Sequence, residues 1–565
     1  MHYRTFILAV LFSALQAPDR ATLEGVITRA GTTETVPRVS VVVTMVQGQL
    51  GDVQTVLTDD SGRFAVRNLR PGAHRIFATT DGYVRGEYGQ RAPGRPGTPV
   101  DLMAGENRRG IAIAMTPTAV IAGRIVDADG KPMPGVFVRI ARTAYPAGTR
   151  ELTMVQRLQT NDLGEFRFFG LEPGPYYVMA LPAGSAYIDG ENYIIPSTSP
   201  PDFLGAEPDV RLTAAQALAQ GAISAAAFRE DAYQTTYYPG TKDQTAAMPI
   251  NLEPGAVFSG VELRIQKSAW VHIRGRVVDA QGQPAAPSVT LSLPYYGTDQ
   301  RNISGRAVDG VFDLHAPPGT YQLTARVNRS TPGNQFGNDA AYMNLEVGDR
   351  DIDNIQLKLF PSFSVNGKMT FDGTLPGGDT PDLKGVIINL AADGSAGVQI
   401  RPNTSGAFSI SYVSRTNYRI ALVLIPANTY IKSARLGSKD VIDGTLPFET
   451  PPQDLLEIIL RPTSASFSAI AVDEKQQPLP GVTVVLVPDS PRRGRRDLYR
   501  TAVTDASGRI NLTGITPGEY KAFAWENIQA NSWQDPEVLR PYENVGQLLR
   551  LNENSRESMT LRVIR

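Results

Sequence analysis

The sequence predicts an all-β chain, a tandem array of about five β-sandwich modules with one helical insertion in the second. Three observations carry this reading. An opening strand with a glycine near its start recurs along the 565 residues. Behind it come a tight Asp/Gly turn and then a Pro-Gly turn. The segments closing each repeat alternate apolar and polar residues with period two, the mark of a strand with one buried and one wet face.

The opening strand reads Leu23-Glu24-Gly25-Val26-Ile27, then Ile121-Ala122-Gly123-Arg124-Ile125-Val126-Asp127, then Ile273-Arg274-Gly275-Arg276-Val277-Val278-Asp279. Val365-Asn366-Gly367-Lys368-Met369 is a shorter copy, and Phe467-Ser468-Ala469-Ile470-Ala471-Val472-Asp473 carries alanine in place of glycine. Asp127-Ala128-Asp129-Gly130-Lys131-Pro132-Met133-Pro134-Gly135-Val136 follows the second opening, and Asp473 to Val482 keeps its spacing. Asp and Gly tolerate left-handed turn geometry, and Pro presets the backbone before the next strand.

The middle signature is Thr58-Asp59-Asp60-Ser61-Gly62-Arg63-Phe64, Thr160-Asn161-Asp162-Leu163-Gly164-Glu165-Phe166 and Thr504-Asp505-Ala506-Ser507-Gly508-Arg509-Ile510. Each leads to a Pro-Gly turn, as in Leu171-Glu172-Pro173-Gly174-Pro175-Tyr176 and Ile515-Thr516-Pro517-Gly518-Glu519-Tyr520. The third unit keeps Asp309-Gly310-Val311-Phe312 and Pro318-Gly319-Thr320-Tyr321, and the fourth keeps Thr404-Ser405-Gly406-Ala407-Phe408. A hairpin, a core-facing apolar residue and a second turn account for the pattern. Closing strands such as Val261-Glu262-Leu263-Arg264-Ile265 and Ile355-Gln356-Leu357-Lys358-Leu359 alternate strictly.

These repeats place modules at 22–117, 118–266, 267–360, 361–462 and 463–565, after a leader at 1–21. The second module carries an insertion at 184–240, where the alanine-rich run from Leu212 to Gln220 predicts a helix extending to about Arg229. The segment Tyr430 to Pro451 has no assignable fold. In the leader, Arg4 precedes an apolar run from Thr5 to about Ala17, the length of a secretory core rather than of a membrane span. The expected location is therefore secreted, periplasmic or cell-envelope associated, with no membrane span once the leader is removed.

Composition excludes several classes. There are no cysteines, so disulfides, thiolate metal sites and cysteine nucleophiles are absent. The 55 Lys and Arg nearly cancel the 56 Asp and Glu, which gives no general pull toward nucleic acid. One basic run, Arg492-Arg493-Gly494-Arg495-Arg496, reads as a solvated loop tip.

The combination Gly-x-Val/Ile-Val-Asp, Asp-x-x-Gly-x-Pro-x-Pro-Gly-Val, Thr-Asp-x-x-Gly-x-Phe and Leu-x-Pro-Gly-x-Tyr resembles the carboxypeptidase regulatory-like domain. That resemblance implies a transthyretin-like (prealbumin-like, Ig-like) sandwich related to carbohydrate-binding-like folds, set in tandem in a secreted bacterial protein. These motifs are turn and core chemistry, so they specify a fold and hardly an activity.

Catalytic constellations are not found. A zinc carboxypeptidase needs a His-x-x-Glu pair and a distant histidine. Of the four histidines His2 lies in the leader, and none of the others is followed by Glu at that spacing. His74, His272 and His315 are read as scattered over three different modules, as ordinary strand or loop histidines. No serine-hydrolase elbow or phosphate loop occurs. Asp59, Asp60, Asp162 and Asp505 sit in the repeated turn and read as structural. Asp127 with Asp129, and the Asp349, Asp351, Asp353 cluster, lack the ligand spacing of a calcium loop and read as turn chemistry. A Lys-to-Asn cross-link has only Lys368 on an opening strand and no Asn in Leu456 to Leu460.

The sequence therefore points to a non-enzymatic binding or scaffold protein, with no cofactor and no metal, whose partner is a polysaccharide or a cell-envelope protein. The rival is an accessory array of a hydrolase system, or a cryptic hydrolase. Sugars stack on aromatic faces. The candidate platforms are Tyr237 and Tyr238 in the insertion region, Tyr295 and Tyr296 in a loop of the third module, and Trp525 and Trp533 in the last.

Overall fold

The computed structural model describes residues 20–46, 53–95, 97–146, 148–181, 235–269, 271–292, 302–331, 335–375, 381–392 and 398–565, with Gly378 and four short strand segments between 187 and 233. Strands run from Ala21–Arg29 to Arg556–Arg562, and the α-helix among the described residues is one turn, Pro536–Leu539. The chain divides into two compact units, Met1–Ala119 with Gly170–Glu172, and Val120–Phe169 with Pro173–Arg565.

Among the described residues, five pairs of sheets follow one another along the chain, with two small sheets besides. In the third pair the opening strand Val271–Val278 is central to a three-stranded sheet. It runs antiparallel to Val311–Ala316 and parallel to Ile352–Lys358. The facing sheet has the order Asn302–Arg306, Ser288–Ser292, Gly319–Thr331, Gln335–Val347. The plan repeats with Ala21–Arg29, Ala119–Val126, Phe363–Phe371 and Ala465–Val472 as central strands. Strict alternation puts Val271, Ile273 and Val277 in the core, packed against Leu291, Leu314 and Leu323 of the surrounding strands. His272, Arg274 and Arg276 are left on the outer face.

The repeated polar residues are consumed by the backbone. Asp59 Oδ1 accepts from the N–H groups of Ser61 at 2.9 Å and Arg63 at 2.8 Å. Asn161, Asn403 and Asp505 do the same two and four residues onward. The turn behind the opening strand repeats the device with Asp127, Asp279 and Asp473. These are Asx turns, which explains why Asp and Asn interchange here. Asp162, by contrast, is one position past the residue that holds its turn.

The threonine that opens the middle signature is a buried lock. Thr504 Oγ1 accepts from the Val482 N–H at 2.9 Å and donates to the Leu479 carbonyl at 2.7 Å. Thr58 and Thr160 bind the corresponding groups in the first two modules. The tyrosine after the Pro-Gly turn closes a corner, with Tyr321 Oη donating to Pro317 O at 2.9 Å and Tyr520 Oη to Thr516 O at 2.7 Å.

Several sequence expectations change. Leu212 and Thr213 belong to a strand, Val210–Thr213, and the rest of the predicted helix lies outside the described residues. Ala21, assigned to the leader, is the fully buried first residue of a strand, and the apolar leader run lies outside the described residues. The unassigned tail of the fourth module forms Tyr430–Leu436, which extends the first sheet beside Leu456–Arg461, and Leu446–Pro447, which extends the second.

The basic run is not a solvated loop tip. Arg492 pairs with Asp489 and Arg493 with Glu543. Arg495 is buried and binds Asp497 at 2.6 Å and Asp443, in the preceding module, at 3.2 Å. The same two modules are joined by Tyr430 Oη donating to Glu553 at 3.0 Å, and Gln529 donates to the Thr143 carbonyl in the second module. Among the described residues no helix is long and apolar enough to cross a membrane.

Candidate metal centre

Strand pairing in the third module concentrates ionisable side chains on one outer face. The pairing of Gly275 with Phe312 sets the register, so the residue three before the glycine opposes the residue three after the phenylalanine. These are His272 and His315, and one step inward Arg274 opposes Asp313. All four alternate outward, because Ile273, Phe312 and Leu314 fill the inward positions.

The side chains converge. His272 Nδ1 is 2.9 Å from Asp313 Oδ1, and His315 Nε2 is 2.8 Å from the same Nδ1. His315 Nε2 stands 3.8 Å from Asp313 Oδ1. The two imidazoles meet edge to face, with centroids 4.0 Å apart. Arg274 Nε donates to Asp313 Oδ2 at 3.2 Å, and that oxygen also lies 3.1 Å from His272 Nδ1. Arg274 Nη1 also reaches Asp351 and Asp353, each at 3.2 Å, and Asp351 Oδ1 accepts the His272 backbone N–H at 2.9 Å.

Three carboxylates thus surround one guanidinium and two imidazoles. Burial opposes the charge on Asp313, but the hydrogen bonds from His272 and Arg274 outweigh it and hold its carboxyl below the usual range. Asp351 is also held low, first by the His272 N–H and then, against slight burial, by Arg274. Asp351 and Asp353, read from sequence as turn chemistry, are in fact partners of Arg274.

The sequence reading scattered His272 and His315 over different modules, although both fall inside the third module at 267–360; their direct cross-strand pairing corrects it. The signal was present in Val271-His272-Ile273-Arg274 and Asp313-Leu314-His315, whose alternation sends the polar residues to one face. Seeing it required the register between strands about forty residues apart in sequence. His74 is elsewhere, buried, with Nδ1 2.9 Å from the Gly72 carbonyl. Among the described residues His272, Asp313 and His315 form the one group of such donors placed close enough to share an ion.

The aromatic platforms fare differently. Trp525 is 2% exposed, stacked on Phe523 at 4.8 Å with Tyr542 edge-on at 5.7 Å. Trp533 is buried in the same small core with Ile528 and Leu539, over the second sheet of the last module. Tyr237 is buried in the second module. None of these three offers a free ring face for a sugar, because each closes a core. Tyr238 is half-buried, edge-on to Phe258 at 6.4 Å. Tyr295 and Tyr296 lie outside the described residues. A shallow cleft of about 530 Å³ opens on the outer face of the second module, between Arg124, Asn161, Glu165 and Glu262. Arg124 and Glu262 pair across it.

Residues 22–116 and 120–188 match the family model of the carboxypeptidase regulatory-like domain. No curated protein matches the sequence. Among solved structures, BcpA, the major pilin subunit of Bacillus cereus, is 10% identical over 79% of this chain and 99% of its own, with a TM-score of 0.15. A streptococcal ancillary pilin is 12% identical over 61% of this chain and 100% of its own, with a TM-score of 0.19. The Bacillus anthracis TIE protein is 13% identical over 60% of this chain, with a TM-score of 0.17, and the match spans 51% of that protein. Scores this low assign the chain nothing beyond what its own sheets display.

Proposed function

We infer that this chain, whose residues 22–116 and 120–188 match the carboxypeptidase regulatory-like domain, is an exported, non-catalytic scaffold that holds β-sandwich modules in a fixed series for a cell-envelope protein partner. The observation that carries this reading is the fate of the repeated polar residues. Asp59, Asn161, Asn403 and Asp505 give their Oδ1 atoms to backbone N–H groups. Thr58, Thr160 and Thr504 are likewise spent on the backbone. Repeated side chains committed in this way to the turns of successive modules are doing structural work, whereas a catalytic acid is set to face a substrate.

Intermodule ties support the scaffold reading. Arg495 with Asp443 and Tyr430 with Glu553 fasten the fourth module to the fifth. The His–Asp group, which a hydrolase would place in a cleft, lies on an exposed sheet face. With Tyr237, Trp525 and Trp533 inside cores, a protein partner has more support than a polysaccharide.

The test is retention of the purified chain on washed bacterial envelopes and on a panel of insoluble polysaccharides. Retention on envelopes that protease treatment of the envelope abolishes and glycosidase treatment leaves intact is expected. Retention on pure polysaccharide, lost in Tyr238→Ala, would replace the protein partner with a sugar. Turnover of peptide or glycoside substrates by the chain would overturn the non-catalytic reading.

A further inference from the structure

The contacts among His272, His315 and Asp313 cannot each be a separate two-centre hydrogen bond. If Nδ1 of His272 carries a hydrogen, it donates to Asp313 Oδ1 at 2.9 Å, and the His315 Nε2 at 2.8 Å must share that hydrogen or turn its own against it. If Nδ1 is bare it accepts from His315, and its lone pair is spoken for while Asp313 Oδ1 faces it with another. A neutral imidazole has one donor and one acceptor nitrogen, and both contacts here fall on the same nitrogen. A single cation between the three atoms resolves the conflict, because every one of them then offers it a lone pair.

The spacing fits such an ion. Ligand atoms at the usual zinc distances, in tetrahedral arrangement, stand about 3.3 Å from one another. The three separations here are 2.8, 2.9 and 3.8 Å, which bracket that value. The donors come from two adjacent antiparallel strands at opposite and diagonal positions, so the sheet fixes their backbones. Both carboxylate oxygens of Asp313 lie near His272 Nδ1, Oδ1 at 2.9 Å and Oδ2 at 3.1 Å. Arg274 Nε donates to Oδ2, which leaves Oδ1 as the oxygen open to the ion. Its own charge is balanced by Asp351 and Asp353, so the face stays net negative.

We propose that His272 Nδ1, His315 Nε2 and Asp313 Oδ1 form a binding site for one divalent transition-metal ion, of the class of zinc, on the outer face of the third module. Two imidazoles and one carboxylate are a borderline donor set that suits zinc, nickel or cobalt and disfavours calcium and magnesium, which take oxygen ligands. His315 and Asp313 have side chains 53% and 45% exposed, so the ion retains an outward position for water or for a ligand brought by a second molecule. This site goes beyond the scaffold reading and does not depend on it.

The test uses the full chain, stripped with chelator, dialysed against zinc and assayed for bound metal. One zinc per chain is expected, with cobalt giving the visible absorption of a low-coordinate nitrogen and oxygen site. His315→Ala is an exposed substitution and should fold, as circular dichroism will report, yet lose both signals; His272→Ala and Asp313→Asn should do the same. A wild-type chain that takes up no zinc overturns the proposal. So does uptake that His315→Ala retains undiminished, since the ion would then sit elsewhere. If His272→Ala fails to fold, the His315→Ala result alone decides.

Discussion

Gly275 lies directly opposite Phe312, and a Cβ on that glycine would stand 2.7 Å from the phenylalanine ring and 2.4 Å from the Ile355 carbonyl oxygen. The opening strand is squeezed between a ring on one side and a parallel strand on the other. Gly25 with Phe64 and Gly367 with Phe408 repeat the relationship. The fifth module breaks it on both sides together, pairing Ala469 with Ile510. An aliphatic side chain leaves room for a methyl group where a ring does not.

Gly275→Ala should therefore overpack the third module and lower its stability by about 1–3 kcal/mol. Calorimetry should show the transition of that module moving down. Ala469→Gly in the fifth module meets no ring and should cost only about 0.5–1 kcal/mol. Equal effects at the two positions would show that the ring contact is not what excludes the side chain.

Thr504→Val keeps the shape of the buried lock and removes its oxygen. The Val482 N–H and the Leu479 carbonyl then lose their shared partner, a loss of about 1–3 kcal/mol. Two of the three tryptophans, Trp525 and Trp533, are in this module, so urea unfolding followed by tryptophan fluorescence reads it directly.

Asp505 supplies an acid-sensitive element. Burial opposes its charge, but the N–H groups of Arg509 and Ser507 and the Ser507 hydroxyl outweigh that and lower its pKa. A folded-state pKa below the unfolded one contributes stability that is present above about pH 4 and lost as pH falls through the folded value. Asp505→Asn retains the accepting oxygen, as Asn161 and Asn403 do naturally. The variant should fold and should lose less stability between pH 5 and pH 2 than the parent, measured by the same fluorescence transition.

Trp525→Ala removes the largest fully buried side chain and should cost about 3–5 kcal/mol. Its effect on any ligand should track unfolding. Tyr238→Ala, at a half-buried edge, should leave the melting profile nearly unchanged. Specific loss of sugar retention in a fully folded Trp525→Ala chain would contradict the placement of that ring in a core.

The repeats were legible because turn chemistry is local. An aspartate that binds the backbone two and four residues ahead, as Asp473 does, leaves its mark within one stretch of sequence, and so does a strand whose alternate residues are apolar. That sufficed for an all-β array with opening glycines and Pro-Gly corners. The aromatic residues were not legible, because a tryptophan near a loop looks the same whether it faces water or, like Trp525, lies flat on Phe523.

What the sequence determined by itself was the series of strands and the turns that join them, since each is set by residues a few positions apart. Only the tertiary structure decided which outward residues meet. His272 and His315 are separated in the chain by the strands Ser288–Ser292 and Asn302–Arg306, and the Gly275–Phe312 register brings them within 2.8 Å. A shift of one residue would have sent them to opposite faces of the sheet, so the donor group exists only once long-range pairing has fixed the register.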